Sequence, residues 1–178
     1  MHAELQRVCD RFRSELSGID PASTQLHPAQ DSQRWCIQQI VEHLLLTYRL
    51  TSDALQRRLD KGTGTTVRSR FPQVLARTLV LRIGYFPSGR RSPEAVFPQP
   101  SANPCGGEAL ADRMREGLTA MDALLVAAEG QFGNAPLQAH MVFGPLTANE
   151  WRRFHAMHAL HHLKQIRSLR HSITAAGS

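Results

Sequence analysis

The chain has 178 residues, enough for a domain with its own hydrophobic core, and we expect residues 1–178 to form a single domain. Apolar residues make up 42% of the chain and charged residues 20%, which excludes a disordered or fibrous protein. No apolar run approaches the roughly 18 residues that span a membrane, and the charged N-terminus is unlike a signal peptide, so we expect a cytoplasmic protein without a membrane partner.

The formal net charge of +6 raises the question of a nucleic-acid partner, because lysine and arginine neutralise phosphates. The basic residues are dispersed, usually beside acidic ones, and no basic strand is interleaved with aromatic residues. We therefore expect no nucleic-acid partner. The three cysteines, Cys9, Cys36 and Cys105, lie far apart without CxxC spacing, which indicates reduced thiols rather than disulfides or a cysteine zinc site.

Two amphipathic helices are predicted in the first third of the chain. Apolar residues recur at helical spacing from Leu5 to Leu16, and the sequence SGIDP ends this first helix. A loop rich in proline, serine and aspartate follows, and either Asp31 or Ser32 is predicted to cap the second helix. From Trp35, apolar residues repeat about every 3.6 positions up to the break at KGTGTT.

The middle of the chain alternates between regular and irregular segments. FPQVLARTLVLRIGYF is predicted to be a helix, although its valine and isoleucine content leaves a strand possible. FPSGRRSPEAVFPQPSANPCGG has five prolines and three glycines, so we expect irregular structure, either a lid over a cleft or a passive connection. A third long helix runs from Leu110 to Ala128, and GNAPLQAHMVFGPL is expected to be irregular.

The last helix has a clear start. In TANE, the Thr147 side chain can accept a hydrogen bond from the Glu150 amide while the Glu150 side chain reaches back, which is a capping box. Four long amphipathic segments dominate the chain, and no alternating run predicts a convincing sheet. We therefore expect an all-α four-helix bundle whose long irregular connections permit a crossover topology.

Three histidines of the last helix fall on its apolar face. With 100° per residue, His155, His158 and His162 point to the same side as Trp151 and Ile166. Burying three imidazoles is costly unless each ring nitrogen finds a partner, and a divalent metal ion would provide one. Four positions apart, His158 and His162 can bind the same ion. The alternative is a cluster that holds no metal and forms only hydrogen bonds.

A third ligand must come from elsewhere in the bundle. His43, at the flank of the apolar face of the second helix, is the best candidate. His140 is a rival ligand or an outer group, and His155 could replace a proposed ligand. His161 is expected to pack or to form a hydrogen bond. The remaining histidines are expected at the surface: His2, His27 and His171.

Two segments, WCIQQIVEHLLLTYR and HALHHLKQI, resemble the DinB/YfiT-like superfamily of metal-binding helical bundles, and HMVFGPLTANEW is similar to an uncharacterised subgroup of it. The resemblance implies a four-helix bundle in which His43, His158 and His162 bind zinc, nickel or a similar divalent ion. It places Gln165 at a glutamine position next to the ligands. It also implies a homodimer, and activities among the relatives include transfer reactions that use low-molecular-weight thiols.

Three neutral histidines leave at least one position on the ion open, as in catalytic sites. The ion could activate water or bind a thiol as thiolate. We therefore expect a metal-dependent enzyme, a thiol-dependent S-transferase or a related transferase or hydrolase with a small-molecule thiol as substrate. His155 is the candidate acid or base, because no carboxylate is placed nearby. The alternative is a non-catalytic metal-binding protein of the stress response.

Overall fold

Four long helices build the protein, which is described here by a computed structural model covering residues 1–28, 31, 33–84, 92–100 and 103–176. The helices are α1 (Ala3–Leu16), α2 (Ile37–Lys61), α3 (Phe71–Arg77), α4 (Gly107–Phe132) and α5 (Ala148–Ala176). Helix α2 packs along α4, and α1 packs against both α4 and α5, while the short α3 lies outside this arrangement. The predicted all-α helical bundle is confirmed.

The core lies where the helical periodicity placed it. Each long helix turns its predicted apolar face inward, and α4 contributes methionines to the core. Within the described part of the chain, no helix is both long enough and apolar enough to cross a membrane. The buried residues of α1 and α4 include Leu5, Val8, Phe12, Leu16, Leu110, Met114, Leu118, Met121 and Leu125.

The start of α2 differs from the prediction. The helix begins at Ile37 with Cys36 as its N-cap, and Gln39 Oε1 accepts a hydrogen bond of 3.1 Å from the Cys36 amide. The prediction that Asp31 caps this helix is wrong, because its carboxylate accepts from the Gln33 amide at 3.1 Å and holds a turn before the helix. The other candidate cap, Ser32, lies outside the described residues.

Residues 71–83 of the segment FPQVLARTLVLRIGYF are helical, as predicted, and its last two residues, Tyr85 and Phe86, lie outside the described residues. Helix α3 continues into a π-helical turn, Thr78–Ile83, which ends at Gly84. Gly84 has a φ of 76°, a left-handed conformation that favours glycine and ends the helix.

A short hairpin precedes α5, where the sequence predicted irregular structure. Strand β1 (Gln138–His140) pairs antiparallel with β2 (Gly144–Leu146). The prediction was wrong here because strands of three residues are too short to show an alternating pattern. The predicted capping box of α5 is confirmed: the Thr147 amide donates to Glu150 Oε2 at 3.0 Å, and the Glu150 amide donates to Thr147 Oγ1 at 3.3 Å.

The proline-rich connection before α4 is held against α2. Residues 85–91 and 101–102 of it lie outside the described residues, but residues 94–96 form a 3₁₀ turn that packs on α2. The buried Gln38 of α2 accepts hydrogen bonds from the Cys105 amide at 2.9 Å and from Gln25 Nε2 at 2.5 Å. These contacts fix both neighbouring connections onto the start of α2.

Asp122 and Arg152 form a buried ion pair between α4 and α5 that the sequence did not predict. Arg152 Nε donates to Asp122 Oδ1 at 2.8 Å, and both side chains are almost fully buried. Arg152 also donates to Glu129 at 2.9 Å, while Asp122 accepts from the His2 amide at 2.6 Å. The pair therefore joins two helices and the N-terminus, and its hydrogen bonds satisfy both buried charges.

Helix α4 starts in close contact with the end of α1. The Gly107 amide donates to the Ile19 carbonyl at 2.8 Å, and a Cβ at position 107 would lie 1.8 Å from the Leu16 carbonyl oxygen. Only glycine fits at this position without a shift of one backbone against the other.

We expect Gly107→Ala to lower the free energy of unfolding by about 1–3 kcal/mol, the usual range for overpacking. Gly130→Ala is the matched control in the same helix, since its Cβ meets nothing within 4 Å. The control is expected to stabilise the protein by up to about 1 kcal/mol through helix propensity. Urea denaturation measures the free energy of unfolding of both variants. Equal effects of the two substitutions would contradict the close contact between Gly107 and the end of α1.

Candidate metal centre

Three buried histidines from two helices meet in the bundle. His43 of α2 lies opposite His158 and His162 of α5, and one ring nitrogen of each lies within 4.8 Å of the others. The Nε2 atom of His158 is 3.3 Å from Nε2 of His43 and 3.0 Å from Nε2 of His162. The structure thus brings together the three residues predicted as ligands, through the same type of ring nitrogen.

The outer nitrogens of two of these rings have defined partners. His43 Nδ1 lies 2.8 Å from the Val96 carbonyl oxygen, and His162 Nδ1 lies 2.8 Å from Gln165 Oε1. Both oxygens can only accept a hydrogen bond, so Nδ1 carries the proton on each neutral ring. Their Nε2 atoms therefore present lone pairs to the centre of the cluster.

Hydrogen bonds among the three rings cannot satisfy all three Nε2 atoms. His158 Nε2 carries at most one proton in the neutral ring, so it can donate to His43 or to His162 but not to both. A shared cation accepts all three lone pairs and removes the conflict. Zinc–nitrogen bonds of about 2.0–2.1 Å in tetrahedral geometry separate neighbouring nitrogens by roughly 3.3 Å. The observed separations of 3.0 and 3.3 Å fit such an ion.

Burial keeps the three rings uncharged. Desolvation, with a smaller effect of His43, lowers the pKa of His162 to about 3. Desolvation also lowers the pKa of His43, and it lowers that of His158 further because neighbouring histidines add to the effect. Neutral imidazole is the form that binds metal ions, so the cluster is in its ligand form at neutral pH.

Aromatic rings enclose the histidines. The Trp35 ring centroid lies 4.9 Å from that of His43 and 6.4 Å from that of His162. Phe154 stacks on His158 with centroids 5.4 Å apart and planes 10° apart. These contacts restrain the ring planes and keep water from the sides of the cluster. Trp35 had been predicted only as the first apolar residue of the second helix.

Val96 contacts the candidate site, and nothing in the sequence indicated this. Its carbonyl oxygen orients His43, and it lies in the connection considered above as a lid or a passive link. Through this contact the connection supports a candidate ligand directly. No sequence signal could have identified Val96, because every residue carries a carbonyl group and only the tertiary contact selects this one.

The other candidate histidines lie outside this cluster. His140 packs on Phe143 with ring centroids 4.5 Å apart, and desolvation lowers its pKa to about 4. The fully buried His155 has Nε2 3.1 Å from Thr51 Oγ1. His161 Nε2 lies 3.4 Å from Gln165 Nε2, so Gln165 contacts one candidate ligand and one neighbouring histidine.

Cys36 is not suited to supply a thiolate at this site. Its side chain is buried at the start of α2, and desolvation raises the pKa of the thiol. Glu42, the acidic residue next to His43 in the sequence, accepts a hydrogen bond from Gln38 at 2.8 Å. Within the described ranges, the group of histidine, cysteine and acidic residues that could hold a metal ion consists of the three histidines.

Comparison with known proteins gives one family. The family model described as a protein of unknown function (DUF1569) matches residues 22–169, which include His43, His158, His162 and Gln165. No curated protein and no solved structure matches the chain.

We expect the metal-free protein to lose stability as the pH falls below about 6.5. Desolvation lowers the pKa of His155 to about 3 in the folded state, so between these pH values the unfolded chain binds a proton that the folded chain does not. For this residue the loss approaches about 1.4 kcal/mol per pH unit. His155→Gln removes the proton while keeping a polar partner for Thr51. Urea denaturation at several pH values measures the free energy of unfolding, which should fall less steeply with decreasing pH in this variant. An unchanged pH dependence would contradict the low pKa of His155 in the folded state.

Proposed function

Since this chain belongs to the DUF1569 family of proteins of unknown function, we propose its function from its own histidine cluster. We propose that His43, His158 and His162 bind one divalent metal ion. The observation that carries this proposal is that the Nε2 atoms of the three rings meet. In two of these rings, those of His43 and His162, Nδ1 faces an oxygen that accepts a hydrogen bond. Imidazole ligands suit zinc and nickel, so either ion is a candidate.

The finer proposal is an enzyme that acts on a small-molecule thiol, as an S-transferase or a related transferase or hydrolase. Three protein ligands leave a coordination position for a guest, which is typical of catalytic rather than structural zinc sites. All three ligands are neutral, so the charge of the ion is not compensated and an anionic guest such as a thiolate is favoured. The resemblance to DinB/YfiT-like proteins supports the same substrate class.

A divalent ion in this cluster would act as a Lewis acid and lower the pKa of a thiol or water molecule beside it. The chain's own residues orient the ligands: the Val96 carbonyl and the Gln165 side-chain oxygen hold His43 and His162 with Nε2 inward. Trp35 and Phe154 exclude water from the sides of the cluster. An environment of this kind strengthens the attraction between the ion and an anionic guest.

His155 has no acid or base role in this proposal. Its pKa of about 3 keeps the ring neutral and a weak base at pH 7, and its Nε2 is engaged with Thr51. Gln165 cannot carry a proton at neutral pH, so it orients His162. The proton of a bound thiol would therefore have to pass to solvent or to the second substrate.

A second candidate function is metal binding without catalysis. Its support is burial: the relative exposure is 3% for His43, 8% for His158 and 6% for His162. Such a site holds an ion securely but restricts the approach of a substrate. Under either function, the homodimer and the cytoplasmic location remain predictions.

We expect protein purified without an affinity tag to contain, or to take up, one zinc or nickel ion per chain. His43→Ala and His158→Ala should each lose most of this metal, because two remaining imidazoles bind much more weakly than three. His27→Ala, a change of the same type at an exposed position, is the control and should keep it. Elemental analysis measures the content, and circular dichroism checks folding. Full retention of metal in His43→Ala would remove α2 from the site.

We expect the cobalt-loaded protein to develop a sulfur-to-metal charge-transfer band in the near ultraviolet when a low-molecular-weight thiol is added. The oxygen analogue of that thiol should give no such band. Because the three protein ligands provide only nitrogen, sulfur signals must come from the added thiol. A stoichiometric metal site without this band would refute the thiol function and leave the non-catalytic alternative.

A further inference from the structure

The surface of the α3 region carries a strip of exposed apolar side chains. Phe71, Met141 and Ile83 are the most exposed, with relative exposures of 82%, 73% and 68%. More than half of the large apolar side chains exposed in the described part of the chain belong to this region. The apolar strip is defined here by Val67, Phe71, Val74, Leu75, Leu79, Ile83 and Met141.

The opposite side of this segment is anchored to the bundle. Val80 and Leu81 are buried, and the Leu81 carbonyl accepts a hydrogen bond of 3.1 Å from Arg153 Nε of α5. Arg77 donates to the Pro145 carbonyl of the hairpin at 2.9 Å. The segment therefore cannot turn its apolar strip inward without breaking these contacts and exposing its buried side.

The hairpin extends the strip beyond the helix. Gln73 Nε2 donates to the Met141 carbonyl at 3.4 Å, so the turn that carries Met141 lies beside α3. Helix α3 and this turn, side by side, both present exposed apolar side chains. Large exposed apolar patches of this kind mark sites of interaction with another molecule.

The charge around the apolar strip indicates which kind of molecule would bind it. Residues 62–83 contain four arginines and no aspartate or glutamate, and Arg68, Arg70 and Arg82 are exposed around the apolar side chains. The partner must therefore accept apolar side chains and supply negative charge. A second copy docked through the same face would bring like charges together, which opposes that arrangement.

We propose that the apolar strip binds the surface of a membrane that contains anionic phospholipids. Apolar side chains of an amphipathic segment enter the boundary between headgroups and acyl chains, while flanking arginines bind the phosphates. A lipid surface accepts exposed apolar side chains without a matching groove, which suits a strip whose side chains are up to 82% exposed. The expectation of no membrane partner rested on the lack of a membrane-spanning segment, and this proposal replaces it because surface binding requires no such segment. The proposal is independent of the metal centre.

The test is co-sedimentation of the full-length protein with phosphatidylcholine vesicles, with and without about 30% phosphatidylglycerol. We expect binding to the anionic vesicles that decreases with added salt and little binding to the neutral ones. Phe71→Ser combined with Leu75→Ser should weaken the affinity by roughly tenfold or more. Val126→Ser, a change at an exposed apolar position of α4, is the matched control and should bind like the wild type.

A second pair of variants separates the local arginines from the net charge. Arg68→Gln with Arg82→Gln should reduce binding, whereas Arg11→Gln with Arg57→Gln, at exposed positions of α1 and α2, should change it little. Equal losses in both double variants would overturn the proposal in favour of nonspecific attraction. Failure of the wild type to bind anionic vesicles would also overturn the proposal. This includes the case in which the apolar strip forms a dimer interface and Phe71→Ser with Leu75→Ser dissociates the dimer.

Discussion

Three imidazole nitrogens that face one another in the protein interior are the constraint on which the rest of the site depends. Val96 and Gln165 give His43 and His162 the tautomer that accepts at Nε2, and His158 has too few protons to satisfy both. In a buried environment this mismatch is not screened by water. A divalent cation resolves it, and neutral ligands leave the ion able to attract an anionic guest.

The support of this cluster extends well beyond the helices that carry it. The proline-rich connection supplies the Val96 carbonyl, and Gln38 ties the end of the same connection to α2 through the Cys105 amide. The orientation of His43 is therefore coupled to the packing of a segment that lacks long regular structure. Proline restricts the backbone of such a segment, which lowers the entropy lost when it is held in one conformation.

Local rules predicted much of the fold, and they failed where a side chain had a competing partner or where an element was too short to show a pattern. The capping box of α5 was predictable because Thr147 and Glu150 are three residues apart and need no other element. The cap of α2 was not, because Asp31 uses its carboxylate in a turn of its own. The hairpin was not predicted because each of its strands has too few residues to show an alternation of apolar and polar side chains.

For the candidate site, the sequence by itself determined which residues of α5 share a face, because the backbone hydrogen bonds of a helix set the rotation per residue. Only the tertiary structure decided that His43, rather than His140 or His155, meets His158 and His162. It also decided that Arg152 is buried with Asp122 while the apolar side chain of Phe71 is exposed. Contacts between distant segments depend on how whole helices pack, which the spacing within one helix does not specify.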